Sequence, residues 1–208
     1  MATSLFDLTV GSYSQVLESA VNFLQKGKDH CGEQGIDLAK IVETSLYETM
    51  ANFHFQVVSL NHHSSKTIAA LSSGEFLPPV GYEPTGYDGL LAMTKASLDT
   101  MQVQTPEAIN ALAGNPITFK LGSNELPFTA ENFVLSFSLP NFYFHATTAR
   151  HFTPAGRANW QDGFSGQHED GNLTPVHASY CTLLVSGLRP PGPRTQTSGN
   201  HHAINYRC

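Results

Sequence analysis

The chain reads as an all-α protein: a four-helix bundle with a small β-hairpin before the last helix and an irregular C-terminal extension. Three observations predict this. Apolar residues recur at helical spacing in four segments, alternation with a period of two occurs only around residues 117–128, and periodicity is lost after about Gly156. At 208 residues the chain suits one domain with an appendage, divided as 1–156 and 157–208.

The first helix is expected over residues 6–28, where Tyr13, Val16, Leu17, Ala20 and Leu24 trace one face. "GKDHCGEQGID" breaks it, and Asp37 is placed to cap a short piece, "LAKIVETSL". A long second helix is expected from Leu46 to Leu71, with Met50, Phe53, Val57, Leu60, Ser64, Ile68 and Leu71 in one stripe. Gly and two prolines in "SSGEFLPPVGYEPTG" stop it in a loop. A third helix spans about Tyr87–Val103, and "TPEAINALAG" supplies a turn or two between Pro106 and Gly114. "ITFKLGSNELPF" alternates on both sides of "GSN" and reads as a hairpin. Thr129, with Glu131 and Asn132 behind it, opens helix four.

The tail is rich in Gly, Ser, Thr and Pro, and its composition favours disorder or a poorly packed extension. A translated intron or altered reading frame is a competing explanation, and "SYCTLLVSGL" is its one candidate strand.

Composition excludes several function classes. A formal charge of −6 with no Lys/Arg run argues against nucleic acid and anionic membranes. No apolar run reaches the roughly 18 residues of a membrane span, and the N-terminus lacks a signal-peptide pattern. Three scattered cysteines make neither a disulfide framework nor a metal motif, so a cytoplasmic setting is expected. Cys31, beside Asp29 and Glu33, is expected to keep a raised thiol pKa and no catalytic role. There is no dinucleotide fingerprint, phosphate loop or nucleophile elbow.

Helix four carries the chemistry. In "LPNFYFHATTARHF", apolar residues surround a row of Ser138, Asn141, His145 and Thr148, spaced i, i+3, i+7 and i+10. Such a row is costly in a bundle core unless its groups bond one another, water or a ligand. Pro140 adds an expected kink, because it lacks an amide hydrogen. On helix two, in "SLNHHSSK", His62 is expected to face solvent and His63 to sit at the edge of the buried face. Facing helices can then bring His63 and His145 together, with Asn141 as third member. His54 lies too far along the helix to share one ion with His63. Phe53, Phe137, Tyr143 and Phe144 are candidates for an apolar substrate lining, joined by Ser138 and Thr148. Ser64 and Ser138 read as packing hydroxyls rather than nucleophiles, since no acidic residue completes a triad. The bland alternative is that Asn141 and His145 only brace the bundle.

"FTAENFVLSFSLPNFYFHATTA", the hairpin before it and "FHFQVVSLNHHSSKTIAAL" resemble a bacterial and fungal family of domains of unknown function within the DinB/YfiT-like superfamily. The resemblance covers roughly residues 5–150. It implies a pocket at one end of a four-helix bundle, commonly with a divalent metal on three histidines, and metal- and thiol-dependent transferase or isomerase chemistry. The matching positions here are His63 and His145, with Asn141 where the first helix-four histidine falls. The implied cofactor is therefore a divalent ion (Zn, Ni, Fe or Mn) on His63, His145 and Asn141. About one helical turn after Ala149 is missing relative to the family.

Three functions are expected on these grounds. The first is a small-molecule enzyme of isomerase, cyclase or transferase type without a redox cofactor. In it His145 is general acid or base, Asn141 an oxyanion donor and His63 an assistant. The second is the metal- and thiol-dependent enzyme, and the third a non-catalytic binding or dimerising bundle. The expected partners are a small molecule and, as the macromolecular option, a second copy of the chain.

Overall fold

The computed structural model describes residues 3–152. The expected extension, with its candidate strand and most of the 157–208 boundary question, lies outside the described residues. Four long helical segments form the bundle, as the periodicity predicts, and a small sheet caps one end.

The first segment runs from a π-helical turn, Asp7–Gly11, into α1 (Ser12–Gln34). It continues past the expected break and ends at Gly35, whose φ of 63° completes a left-handed cap bonded to the Cys31 and Gly32 carbonyls. Buried Gly27 and Cys31 explain the extension, because the inward face stays small and apolar through the break-like stretch. Asp37 caps α2 (Leu38–Glu43) by accepting from Ala39 N–H at 2.9 Å.

The second segment starts later than expected, at α3 (Phe53–Asn61), because Asn52 caps it by accepting from Phe55 N–H at 3.0 Å. A π-helical turn, His62–Lys66, interrupts it before α4 (Thr67–Ser73). The third segment is α5 (Tyr87–Gln102), followed by α6 (Pro106–Asn110), with Pro106 at its first turn and the Thr105 hydroxyl as cap. The fourth is α7 (Ala130–Phe133), a π-helical turn Val134–Ser138, and α8 (Leu139–Phe152). Leu139 N–H reaches back to the Val134 carbonyl to close this wide turn, and Pro140, which cannot donate, follows just beyond it.

The hairpin is β2 (Pro116–Leu121) and β3 (Asn124–Thr129), antiparallel in register Phe119 with Leu126, turned at Gly122 with φ 60°. A third strand, β1 (Glu75–Phe76), joins β2 in parallel. Two residues are too few to show alternation, which hides β1 from sequence. Gly74 launches it: its φ of 75° ends α4, its carbonyl accepts from Thr118 N–H at 2.8 Å, and an added Cβ would crowd the Pro116 carbonyl at 3.3 Å.

The sheet places Phe76, Phe119 and Phe128 against Phe133 and Phe137 of the last segment. Ring centroids are 4.9 Å apart for Phe76–Phe133 and 4.6 Å for Phe119–Phe137. Burying each ring contributes on the order of 2 kcal/mol, so this cluster anchors the sheet to the bundle. Within the bundle α3 packs mainly on α8 and α1 on α5. Tyr13 meets Phe142 edge-on at 4.9 Å, and Tyr87 stacks on Phe53 while donating to the Leu24 carbonyl at 2.9 Å.

Candidate functional site

Where α3 crosses α8, the π-turn run "HHSSKT" puts polar groups into a buried helix. The wide turn leaves main-chain carbonyls without helical partners, and hydroxyls replace the missing amides. Ser64 Oγ reaches the Asn61 carbonyl at 3.0 Å and Ser65 Oγ the same carbonyl at 2.8 Å, while Thr67 Oγ1 donates to the His63 carbonyl at 2.9 Å. Ser138, from the Val134–Ser138 π-turn, lies 2.7 Å from the His63 carbonyl, 2.7 Å from Thr67 Oγ1 and 2.7 Å from Tyr13 Oη. This network ties three segments together beneath the His63 backbone. Burial pushes the Tyr13 hydroxyl far above its ordinary pKa, so it stays a donor.

Above that network the His63 and His145 rings lie with centroids 5.8 Å apart and planes within 13°. Both are enclosed, at 4% and 9% exposure. Phe76 stacks on His63 at 5.6 Å and Phe137 meets it at 5.7 Å, so the sheet and the Val134–Ser138 π-turn wall in this imidazole. Phe55 and Phe144 present edges to His145 at 5.8 and 5.2 Å.

Gln56 sets the His145 tautomer. Its Nε2 donates to the Ala51 carbonyl at 3.2 Å, which leaves Oε1 to accept from His145 Nδ1–H at 2.8 Å. The proton therefore sits on Nδ1, and Nε2 carries a free lone pair. Desolvation lowers the His145 pKa to about 4. Burial first, and then the neighbouring His145 and His62, push His63 well below its ordinary value. Both rings are neutral near pH 7. His63 Nδ1 and Ser59 Oγ are buried without hydrogen-bond partners. Gln56, Ser59 and His63 stand at i, i+3 and i+7 of one helix face, so the unsatisfied atoms share the side that carries Gln56 to His145.

Spacing along the chain singles out neither Gln56 nor Ser59. The signal that could have found Gln56 is its isolation as an amide in the apolar run "FHFQVV", seven residues before His63.

The other candidates divide between the pair and the rest of the bundle. Asn141 turns its amide onto its own helix, donating to the Phe137 carbonyl at 2.7 Å. Phe53 is buried against Tyr87 and Phe152, away from the imidazoles. Tyr143 packs on Phe142 and is largely exposed, and Thr148 is buried one turn beyond His145. Phe137 and Phe144 do touch the pair, while Ser138 holds its backbone from below.

His62 departs from expectation. It is buried, at 5% exposure, because the 77–86 loop folds over it. Its Nε2–H donates to the Leu77 carbonyl at 2.7 Å, and Nδ1 pairs with Tyr82 Oη at 3.0 Å. His54 fastens the same loop further along by accepting from Thr85 N–H at 3.3 Å. Cys31 is buried, which pushes its thiol pKa up.

The donor set does not fit a resident three-ligand metal. Two neutral imidazoles are present, the Gln56 oxygen is committed to His145, and Asn141, its nitrogen held on the Phe137 carbonyl, offers only a neutral amide oxygen in place of a third imidazole, thiolate or carboxylate. Among the described residues no group of three His, Cys, Asp or Glu side chains could hold an ion. No helix among them is long and apolar enough to cross a membrane.

The profile of the DUF1993 family, a domain of unknown function, matches residues 5–151. The chain belongs to the DUF1993 family. The match takes in all three π-turns and both site imidazoles. The DUF1993 chain also resembles, with a TM-score of 0.62 and 18% identity, the 1.83 Å crystal structure of a DinB family member protein from Shewanella denitrificans. That alignment covers 82% of this chain and 96% of the other, and at this identity it establishes the DinB-like fold. No curated protein matches the sequence.

Proposed function

We propose that this DUF1993 protein is a small-molecule enzyme without a redox cofactor, of isomerase, cyclase or transferase type, working at the His63–His145 pair. The supporting observation is the pair itself: His145 with its tautomer set by Gln56, facing a buried His63 whose Nδ1 has no partner. A bundle core leaves such atoms unsatisfied at a cost of about 1–3 kcal/mol each, a cost that a bound polar ligand removes.

In this reading His145 Nε2 accepts a proton from the substrate. Gln56 Oε1 holds Nδ1–H throughout and disperses the positive charge that develops. A base with a pKa of about 4 is weak at neutral pH. It becomes effective when the substrate brings negative charge beside it, because an anion raises the imidazole pKa. Orientation by Gln56 resembles in kind the way a third group fixes a catalytic histidine elsewhere. Phe55, Phe137 and Phe144 exclude water and favour an apolar substrate body. His63 donates to, or accepts from, the polar atom next to the reacting centre.

The test is hydrogen–deuterium exchange at carbon. Small ketones, keto acids and enolisable esters are incubated with the protein in heavy water and followed by proton NMR. Catalysed exchange in at least one compound, lost in His145→Gln and in His63→Gln, supports the reading. Binding without exchange in any compound favours a non-catalytic bundle.

A further inference from the structure

A second concave surface lies on the opposite side of the same π-turn. Between the His62–Lys66 turn and α5 is a groove of about 210 Å³ lined by Asn61, Ser65, Lys66, Tyr82, Met93, Ala96, Ser97 and Thr100. Ser65 and Lys66 of the wide turn form part of its wall. π-turns recur at functional positions. The volume falls below the roughly 300–1,000 Å³ of sites for drug-sized ligands, so the groove suits a small metabolite.

The hydrogen-bond inventory of the walls selects its chemistry. Asn61 is buried, its Nδ2 is used on the Val57 carbonyl at 2.8 Å and on Thr94 Oγ1 at 3.0 Å, and its Oδ1 is buried without a partner. Ser65 has spent its proton on the Asn61 carbonyl and Thr100 its proton on the Ala96 carbonyl. Tyr82 has spent its own as well. His62 Nε2 must carry a hydrogen to reach the Leu77 carbonyl, and burial keeps that ring neutral, so Nδ1 accepts from the Tyr82 hydroxyl. Four oxygens around the groove can therefore accept but not donate, and Ser97 adds one hydroxyl able to do either. The formal cation among the lining residues is Lys66. Met93 and Ala96 supply an apolar wall.

An excess of acceptors beside one ammonium fits a ligand that donates several hydrogens at one end and carries negative charge at the other. We propose that this groove binds a small zwitterionic amino acid with an apolar side chain. Its ammonium group bonds Asn61 Oδ1 and the neighbouring hydroxyl oxygens, its carboxylate meets Lys66, and its side chain lies on Met93 and Ala96. The site is separate from the His63–His145 pair and does not depend on any activity there.

The experiment is a titration of the full chain, followed by the amide NMR signals of Ser65, Met93 and Ser97. Three probes share one isobutyl side chain: leucine, 4-methylpentanoate (no ammonium) and isoamylamine (no carboxylate). Leucine is expected to give saturable shifts at these amides, with each truncated probe about tenfold weaker or more, the loss of one charge-assisted contact. Lys66→Gln, an exposed change that leaves the core intact, weakens leucine several-fold and leaves isoamylamine unchanged. Thr100→Val weakens leucine and isoamylamine together and spares 4-methylpentanoate. The proposal is overturned if leucine shifts none of these amides at millimolar concentration. It is equally overturned if the three probes bind alike, or if Lys66→Gln leaves leucine unaffected.

Discussion

Ser138 Oγ sits 2.7 Å from the main-chain carbonyl of His63, and through that contact the His62–Lys66 and Val134–Ser138 π-turns lock together. Tyr13 and Thr67 complete the cluster, so three hydroxyl protons serve four short contacts and one of them is shared. The cluster is buried and fixes where the His63 backbone sits beneath His145. Geometry at the imidazole pair thus depends on hydroxyls that never touch it.

Ser138→Ala leaves the Tyr13 hydroxyl facing an apolar methyl. The expected loss is about 1–3 kcal/mol, the cost of a stranded buried donor. Tyr13→Phe removes the polar atom altogether and costs less, about 1 kcal/mol. Urea midpoints of the two variants give the order, and a larger loss for Tyr13→Phe would mean that Thr67 takes over the Tyr13 hydroxyl when Ser138 is shortened.

Acid sensitivity arises from the buried imidazoles. His62, His63 and His145 all have folded pKa values below the ordinary 6.5, each chiefly through desolvation. The unfolded chain takes up protons below about pH 6.5 that the folded chain refuses, so stability is full above that pH and falls as pH drops toward about 4. For His145 alone, the difference between 6.5 and about 4 is worth on the order of 3 kcal/mol. His145→Gln should flatten the pH dependence of the urea midpoint between pH 6.5 and 4.5. An unchanged slope would place the acid sensitivity elsewhere.

Metal affinity should be limited by Asn141. The wild-type chain is expected to retain well under one equivalent of zinc by elemental analysis, because two neutral imidazoles make an incomplete set. Asn141→His adds an imidazole one turn before His145 and should raise zinc retention toward one equivalent. A full equivalent in the wild type, lost in His63→Ala, would restore the metal-centred enzyme as the better explanation.

The fold was legible where local physics is strong. Asp37 and Pro106 marked helix starts, alternation from Ile117 to Phe128 marked the hairpin, and helical periodicity marked the four long segments. The two internal π-turns were not legible as such. A one-residue widening shifts every later residue by about 100° around the axis, so a fixed helical wheel misplaces the residues beyond it. His62 failed for a different reason: the wheel placed it outside, but tertiary contact with the 77–86 loop buried it. The proximity of His63 and His145 came within reach because both lie on facing helices at matching depth. Gln56 is not legible in the sequence, because an amide in an apolar run carries no spacing motif of its own.

The role of His145 as proton acceptor is decided by a ¹⁵N-histidine NMR titration of that residue, in the wild type and in Gln56→Glu. The geometry predicts a neutral ring protonated at Nδ1, with a midpoint near 4 in the wild type. In Gln56→Glu a carboxylate beside Nδ1 should raise that midpoint by at least about one pH unit. A wild-type midpoint near 6.5, or a proton on Nε2 at neutral pH, would rule the role out: His145 would then be neither desolvated nor oriented by Gln56, and the pair could not take a proton from a substrate in the way proposed.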